Sequence, residues 1–268
     1  MKAWHEQLFQ IRRPVPTPVY LFAAATAFLV PLVAWWTLTE MNVVDPLFLP
    51  SPARVVTSFN TLWEKGMFQT DVSLSVYRVT VGFLIAAAIA IPLGLLMGTF
   101  HIVEGLIEPI VNFIRYMPAA AFIPLIMLYI GIGEAAKITI IFIGSFFQLI
   151  VLVAAVARSV PQEMIQVAYT LGHARLGVIA RVIIPASLPG IVENFRIVLG
   201  WAWTYVIVAE FIAAQEGLGY RILQSQRFLK TETIFLYILV IGILGLVFDQ
   251  VIKYLSRWAL PWAEGFEK

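Results

Sequence analysis

Residues 14–39 hold no charged side chain across 26 successive positions. Coiled as a helix rising about 1.5 Å per residue, such a run crosses the ~30 Å hydrocarbon core of a bilayer. It is also too long, and lacks the small-residue cleavage site, to be a removable signal. Further runs follow: Val79 to Val103 carries no Asp, Glu, Lys or Arg, and Ile138 to Ala157 is uncharged between Lys137 and Arg158. The chain of 268 residues is 60% hydrophobic and only 13% charged, about half the charged share of a soluble domain. A soluble fold of this size has too little polar surface to cover so much apolar area. The sequence is therefore that of an integral membrane protein.

Six spans are expected, at about 19–38, 79–100, 109–132, 138–157, 190–213 and 233–248. In lipid every backbone polar group must be satisfied within its own segment, and no stretch shows the alternation of a membrane barrel. The fold class is all-α, a polytopic membrane helix bundle of about six transmembrane helices. An even number of spans leaves both termini on one side. That side collects nine Lys and Arg outside the spans against seven on the other, a difference too small to fix the orientation by the positive-inside rule.

Two segments between spans have readable structure. Ser51-Pro52 suits a helix cap with proline in the first turn, and Val55, Val56, Phe59, Leu62 and Trp63 then share one helical face until Gly66. This predicts a short amphipathic helix at the membrane surface, either packed on the bundle or touching a partner outside it. The second segment runs from Arg158 to Pro189. Pro161 can open a helix whose apolar face is Met164, Ile165, Ala168 and Leu171. Gly172 breaks it, and a second short helix from about Leu176 to Ile184 is expected to end at Pro185. Two short helices with glycine at the corner make a stiff elbow suited to another protein's groove.

Chemistry of other kinds is missing. No lysine follows a glycine, so there is no Walker phosphate loop, and neither Gly-x-Ser-x-Gly nor His-Glu-x-x-His occurs. With no cysteine and three histidines at or outside span ends, a metal centre or thiol nucleophile is not expected. A net charge of +2 gives no support to nucleic-acid binding. Charges inside the spans are the sharper signal, because each costs at least about 2.5–3.5 kcal/mol to insert and faces the bundle interior or a watery cavity. Arg115, Glu193, Arg196 and Glu210 qualify. Glu193 and Arg196 are placed to pair along one helix. Glu210 is open to three readings: a partner for Arg115, a wall of the path, or a place near the surface. Arg115, Arg196 and Glu210 are the candidate path or bundle-locking residues. Pro118 and Pro124 are expected to break the third span, and Gly94 and Gly98 to let two helices pack closely.

The elbow carries a resemblance. The membrane subunits of bacterial ATP-binding-cassette (ABC) importers share a loop of Glu-Ala-Ala, three residues, Gly, nine residues, then Ile-x-Leu-Pro. Here Gln166-Val167-Ala168 precedes Gly172, and Val182-Ile183-Ile184-Pro185 follows at the matching distance, with Gln166 replacing the acid and Val167 the first alanine. Leu49-Pro50-Ser51-Pro52, Arg78 with Gly82-Phe83, Arg115-x-x-Pro118, Ala209-Glu210 and Gly217-Leu218-Gly219 resemble the nitrate, sulfonate, taurine and bicarbonate subfamily, over roughly residues 47 to 262. Asn194 departs from that pattern, standing where a glycine is usual.

The resemblance implies a type I ABC importer fold and a non-catalytic permease in a bacterial inner membrane, carrying a small oxyanion. It implies a coupling loop of Gln166, Val167, Ala168, Gly172 and Pro185, with no cofactor in this chain and ATP and Mg on two partner ATPase subunits. A second permease copy or close homologue and a periplasmic or lipid-anchored substrate-binding protein complete the assembly. It orients the chain: a cytoplasmic tail at 1–18, a first helix at 19–40, a periplasmic segment at 41–78, a core at 79–255 with the cytoplasmic loop 158–189, and a cytoplasmic tail at 256–268. The competing reading is an ATP-independent channel or carrier for a small anion, which would need no elbow.

Overall fold

The structure is a computed structural model that describes residues 15–263. The expected N-terminal tail at 1–18 therefore lies largely outside the described residues, as do residues 264–268 of the expected C-terminal tail, whose first residues, 256–259, are helical. Among those residues every regular element is helical. Helix α1 is Thr17–Glu40, α2 Pro52–Glu64, α3 Met67–Thr99 and α4 His101–Arg115. A 3₁₀ turn at Ala119–Phe122 leads into α5, Ile123–Ile130. Then come α6 (Glu134–Arg158), α7 (Gln162–Thr170), α8 (Arg175–Val178), α9 (Ile184–Ala213), α10 (Leu218–Arg227) and α11 (Thr231–Ala259).

Small residues set the packing of the central pair. A β-carbon on Gly82 would meet Ile141 at 2.9 Å, one on Gly94 would meet Val153 at 2.7 Å, and one on Gly98 would meet Ala157 at 2.6 Å. Each partner lies 59 positions further along the chain. A constant offset means that α3 and α6 run parallel, close enough for backbone contact. The chain between two parallel spans must cross back once. That crossing is made by α4 and α5, which bend by 88° at their junction. Five helices are long and apolar enough to cross a membrane, and counting the bent pair as one span makes six, the number the charge-free runs predict.

The break has the expected cause. Pro118 has no N–H and disfavours a helical Met117, so α4 stops at Arg115; Pro124 sits harmlessly in the first turn of α5. Boundaries differ from the sequence expectation at four spans: the fifth is helical from Arg175 and the sixth runs on to Ala259, and two more begin early. The second span begins at Met67, not Val79, because buried partners let α3 carry Asp71 and Arg78, and the third begins at His101, not Pro109, where Glu104 and Glu108 pair with Arg158 at the partly exposed end of the bundle.

Helix α9 packs antiparallel to α6: Gly144 receives the ring of Tyr205, and Gly190 receives Val156. Helix α2 is capped by the Ser51 hydroxyl, which accepts from the Arg54 N–H at 3.4 Å. It lies against α11, burying Val55 and half-burying Phe59 and Leu62, with Val56 and Trp63 exposed. Helix α1 buries none of its side chains within the chain. It is tethered through Trp35, whose indole N–H donates to the Pro50 carbonyl at 2.9 Å and whose ring stacks on Phe235.

Candidate functional site

Two ends of the bundle are specialised. At one end the elbow projects. Pro161 precedes α7, and Glu163 in its first turn complements the helix dipole. The C-terminus closes as a Schellman motif: Gly172 N–H donates to the Tyr169 carbonyl at 2.9 Å and His173 N–H to the Ala168 carbonyl at 3.1 Å. Gly172 has φ +85°, a left-handed conformation that glycine adopts without strain. Ala168 is buried, while Met164, Val167, Tyr169, Leu171 and Leu176 are exposed and Gln166 stands beside them in solvent. An elbow with one small buried anchor and five exposed apolar side chains, three on α7, one at its cap and one on α8, is a ready-made knob.

Pro185 does not end a helix. The chain is helical from Arg175 to Ile212 in one apolar stretch, with Pro185 in the first turn of α9. A π-helical turn at Ile179–Ile183 precedes it. Proline removes a donor and crowds the carbonyl four residues back, and the wider π turn absorbs both defects. The elbow is therefore continuous with a spanning helix. Beneath it, Arg158 at the end of α6 is ion-paired to Glu104 and, at 3.3 Å, to Glu108 of α4.

At the opposite end lies a buried charge lattice that the sequence reading did not assemble. Asp71, Ser75 and Arg78 fall on one face of α3, and all three are buried. The Arg78 guanidinium grips Glu134 of α6 through two bonds of 2.7 and 2.8 Å and Glu210 of α9 at 2.6 Å. Its last bond, of 2.8 Å, goes to the Glu216 carbonyl. Glu210 also accepts from the Ser75 hydroxyl at 2.7 Å and from Gly219 N–H at 2.8 Å. Lys137 donates to Glu134 at 2.7 Å.

Asp71 completes the lattice, accepting from Gly217 N–H at 2.9 Å, Arg221 Nε at 2.8 Å and the Tyr237 hydroxyl at 2.6 Å. A β-carbon on Gly217 would stand 2.5 Å from the Glu210 carboxyl carbon, and φ there is +125°; only glycine fits. Burial alone would lower the pKa of Arg221, and its bonds to Asp71 outweigh that and hold it above the ordinary arginine value. Three carboxylates, two hydroxyls, two guanidinium groups and the amide N–H groups opening α10 thus bind α3, α6, α9, α10 and α11 together.

The predicted path residues separate. Glu210 is wholly committed to this lattice and does not meet Arg115. Arg196 pairs with Asp249 of α11 at 2.7 and 2.9 Å, not with Glu193, which is exposed. The pair borders a largely apolar cleft of about 620 Å³ between α9 and α11. Arg115 sits at the break after α4, where it donates to the Tyr116 hydroxyl at 3.2 Å. Its Nε is buried with no partner among the described residues, and it shares a narrow crevice with Gln148 and Tyr205.

A family model described as binding-protein-dependent transport system inner membrane component matches residues 90–260. The chain belongs to that family. It is a membrane permease of the ABC importers. It is similar to a probable ABC transporter permease protein of Brucella abortus (strain 2308), 41% identical over 89% of this chain and 94% of the relative. It is also similar to the taurine transport system permease protein TauC of Escherichia coli (strain K12), 32% identical over 96% of this chain and 95% of the relative. The fold matches that of a chain of the inward-facing methionine ABC transporter MetNI with a TM-score of 0.58, at 20% identity over 72% of the permease and 98% of that chain.

Proposed function

We propose that this permease imports a small oxyanion, driven by ATPase subunits that receive the α7 elbow. The observation that carries the reading is the elbow itself: an exposed, Schellman-capped helix whose Met164, Val167 and Leu171 find no cover in the chain. Exposed apolar patches of this kind mark protein contacts. Docking there places the elbow and both termini on the cytoplasmic side, and a substrate-binding protein at the end that carries α2 and α10.

ATP and Mg²⁺ belong to the ATPase subunits in this reading. When those subunits close, they move the elbow. Because the helix from Arg175 continues to Ile212, the displacement travels as a rigid rod to Glu210, where the lattice transfers it to α3, α6 and α10. The bare face of α1 supports a second permease copy packing with lipid around the bundle. An oxyanion solute is supported by the similarity to TauC, since taurine is a sulfonate.

The chain has no cysteine, so a single-cysteine Val167→Cys variant is a clean probe. It is expected to form a disulfide with a cysteine placed in the docking groove of the ATPase expressed with it. Val167→Glu is expected to abolish co-purification with the ATPase while the permease still inserts. Full co-purification of Val167→Glu, with an unchanged transport rate, would overturn the docking of the ATPase on α7.

A further inference from the structure

A cavity of about 550 Å³ opens between α2, α10 and the start of α11, at the end of the bundle opposite the elbow. Its volume is that of a small-ligand pocket, and its lining is strongly biased in charge. Arg54, Lys65, Arg221 and Lys230 line it, against the single carboxylate of Glu232. Arg221 is neutralised by Asp71 behind the wall. Among the described residues, Arg54, Lys65 and Lys230 take part in no ion pair. Three uncommitted cations therefore face one cavity.

The remaining polar groups suit the same ligand. Thr57 and Thr61 donate their hydroxyl hydrogens to the Ala53 and Thr57 carbonyls, so the donors left to the lining are Ser225 and one hydroxyl of the Ser58–Thr233 pair, and a hydroxyl can donate to an oxyanion. Ser58 and Thr233 bond to each other at 2.9 Å and fix the join between α2 and α11. The first turn of α11 also lies in the wall, through Glu232 and Thr233, after the Lys230 cap. A helix of 29 residues presents about half a positive charge at that end. Lys230 is held in place by its own N–H, which donates to the Ser225 carbonyl at 2.9 Å. Arginine, lysine, hydroxyls and a helix N-terminus around one concavity form an oxyanion receptor.

We propose that this cavity binds one oxyanion group, a sulfonate, sulfate or phosphate, held by Arg54, Lys65 and Lys230. Two sources share that chemistry: a free anionic solute and the headgroup of an anionic phospholipid. Placing the pocket on the side from which solute arrives rests on the orientation proposed above; the binding itself does not.

The test is calorimetric titration of purified permease with sodium sulfate and with methanesulfonate, in nanodiscs of neutral phosphatidylcholine. Saturable binding is expected. It should weaken about tenfold on loss of one charged contact and become undetectable in the triple variant Arg54→Gln/Lys65→Gln/Lys230→Gln. The double variant Lys65→Gln/Lys230→Gln touches only exposed side chains, so it retains the fold if the triple does not. Lys253→Gln, far from the cavity, should bind as the unaltered chain does. In nanodiscs of phosphatidylglycerol, sulfate affinity unchanged from neutral discs identifies a free solute as the occupant. A fall in that affinity, with phosphatidylglycerol retained by the unaltered chain and lost from the double variant in native mass spectrometry, identifies the lipid headgroup.

No heat of binding in neutral discs together with no retained phosphatidylglycerol overturns the proposal. So does equal binding by the folded double variant. Neither measurement involves the ATPase or a binding protein. A failed titration therefore leaves the elbow reading standing, and a failed Val167 cross-link leaves the anion site standing.

Discussion

Gly98 of α3 rests on Ala154 of α6, and a β-carbon at position 98 would stand 2.5 Å from the Ala154 carbonyl oxygen. No side-chain rotation relieves a clash with backbone, so the two helices must separate if Gly98 is enlarged. Overpacking costs about 1–3 kcal/mol in a well-packed core and more where backbone must move. Gly98→Val is expected to lower the yield of monodisperse permease severely in size-exclusion chromatography. Gly105→Val is the control, because nothing lies within 4 Å of its β position. Equal elution of the two variants would show that the parallel α3–α6 contact is not needed for folding.

The lattice predicts a reversal of the usual additivity. Arg78→Met leaves Glu134 and the buried Glu210 without their shared cation, and breaking a buried pair from one side costs about 3–5 kcal/mol. Glu210→Gln made in the same chain removes the stranded charge while keeping a carbonyl that can accept from Gly219 N–H. The double variant is expected to melt above Arg78→Met, and a double-mutant cycle on thermal unfolding in detergent reads the coupling. A double variant no more stable than Arg78→Met would mean that the pair carries no coupling energy.

Much of the fold is legible in the chain because bilayer thickness and uncharged runs are both lengths along a sequence. The break at Pro118 and the close packing at Gly94 and Gly98 are legible for the same reason: proline and glycine act locally. The lattice is not local. Arg78 finds its partners 56 and 132 positions away. A rule that ends a span at the first charge therefore trimmed α3 to Val79 and left Arg78 in a loop. The usable signal was the spacing Asp71, Ser75, Arg78, which is one face of a helix, combined with Glu210 deep in a span. Pro185 misled for a related reason: its effect on a helix depends on whether the preceding turn can widen, and residue identity alone does not specify a π turn.

Arg115 separates function from stability. Among the described residues its buried Nε has no partner, and its one bond goes to the exposed Tyr116 hydroxyl, so the fold gains little from it, and replacing an unsatisfied polar group with an apolar one of similar length is close to neutral or stabilising. Arg115→Met is expected to keep its melting temperature or raise it, while slowing uptake of an anionic solute in proteoliposomes containing the full transporter. ATPase stimulation by the binding protein should persist, because the elbow is untouched. Unchanged uptake with a lowered melting temperature would reassign Arg115 to structure.

Gly172 makes a prediction about conformation and not about space. Nothing lies within 4 Å of its β position, yet its φ is +85°. A side chain there meets no neighbour, and the cost is backbone strain of about 1 kcal/mol for an ordinary residue, larger for a β-branched one. Asparagine tolerates the left-handed region; valine does not. Gly172→Asn is expected to preserve the Schellman closure and the ratio of solute imported to ATP hydrolysed. Gly172→Val should release His173 from the Ala168 carbonyl, loosen the elbow, and leave hydrolysis running with little uptake, while the permease still reaches the membrane. The two variants have similar bulk, so steric blockage of the ATPase groove would impair both alike. Equal coupling in Gly172→Val and the unaltered chain would show that the elbow transmits force without a fixed corner.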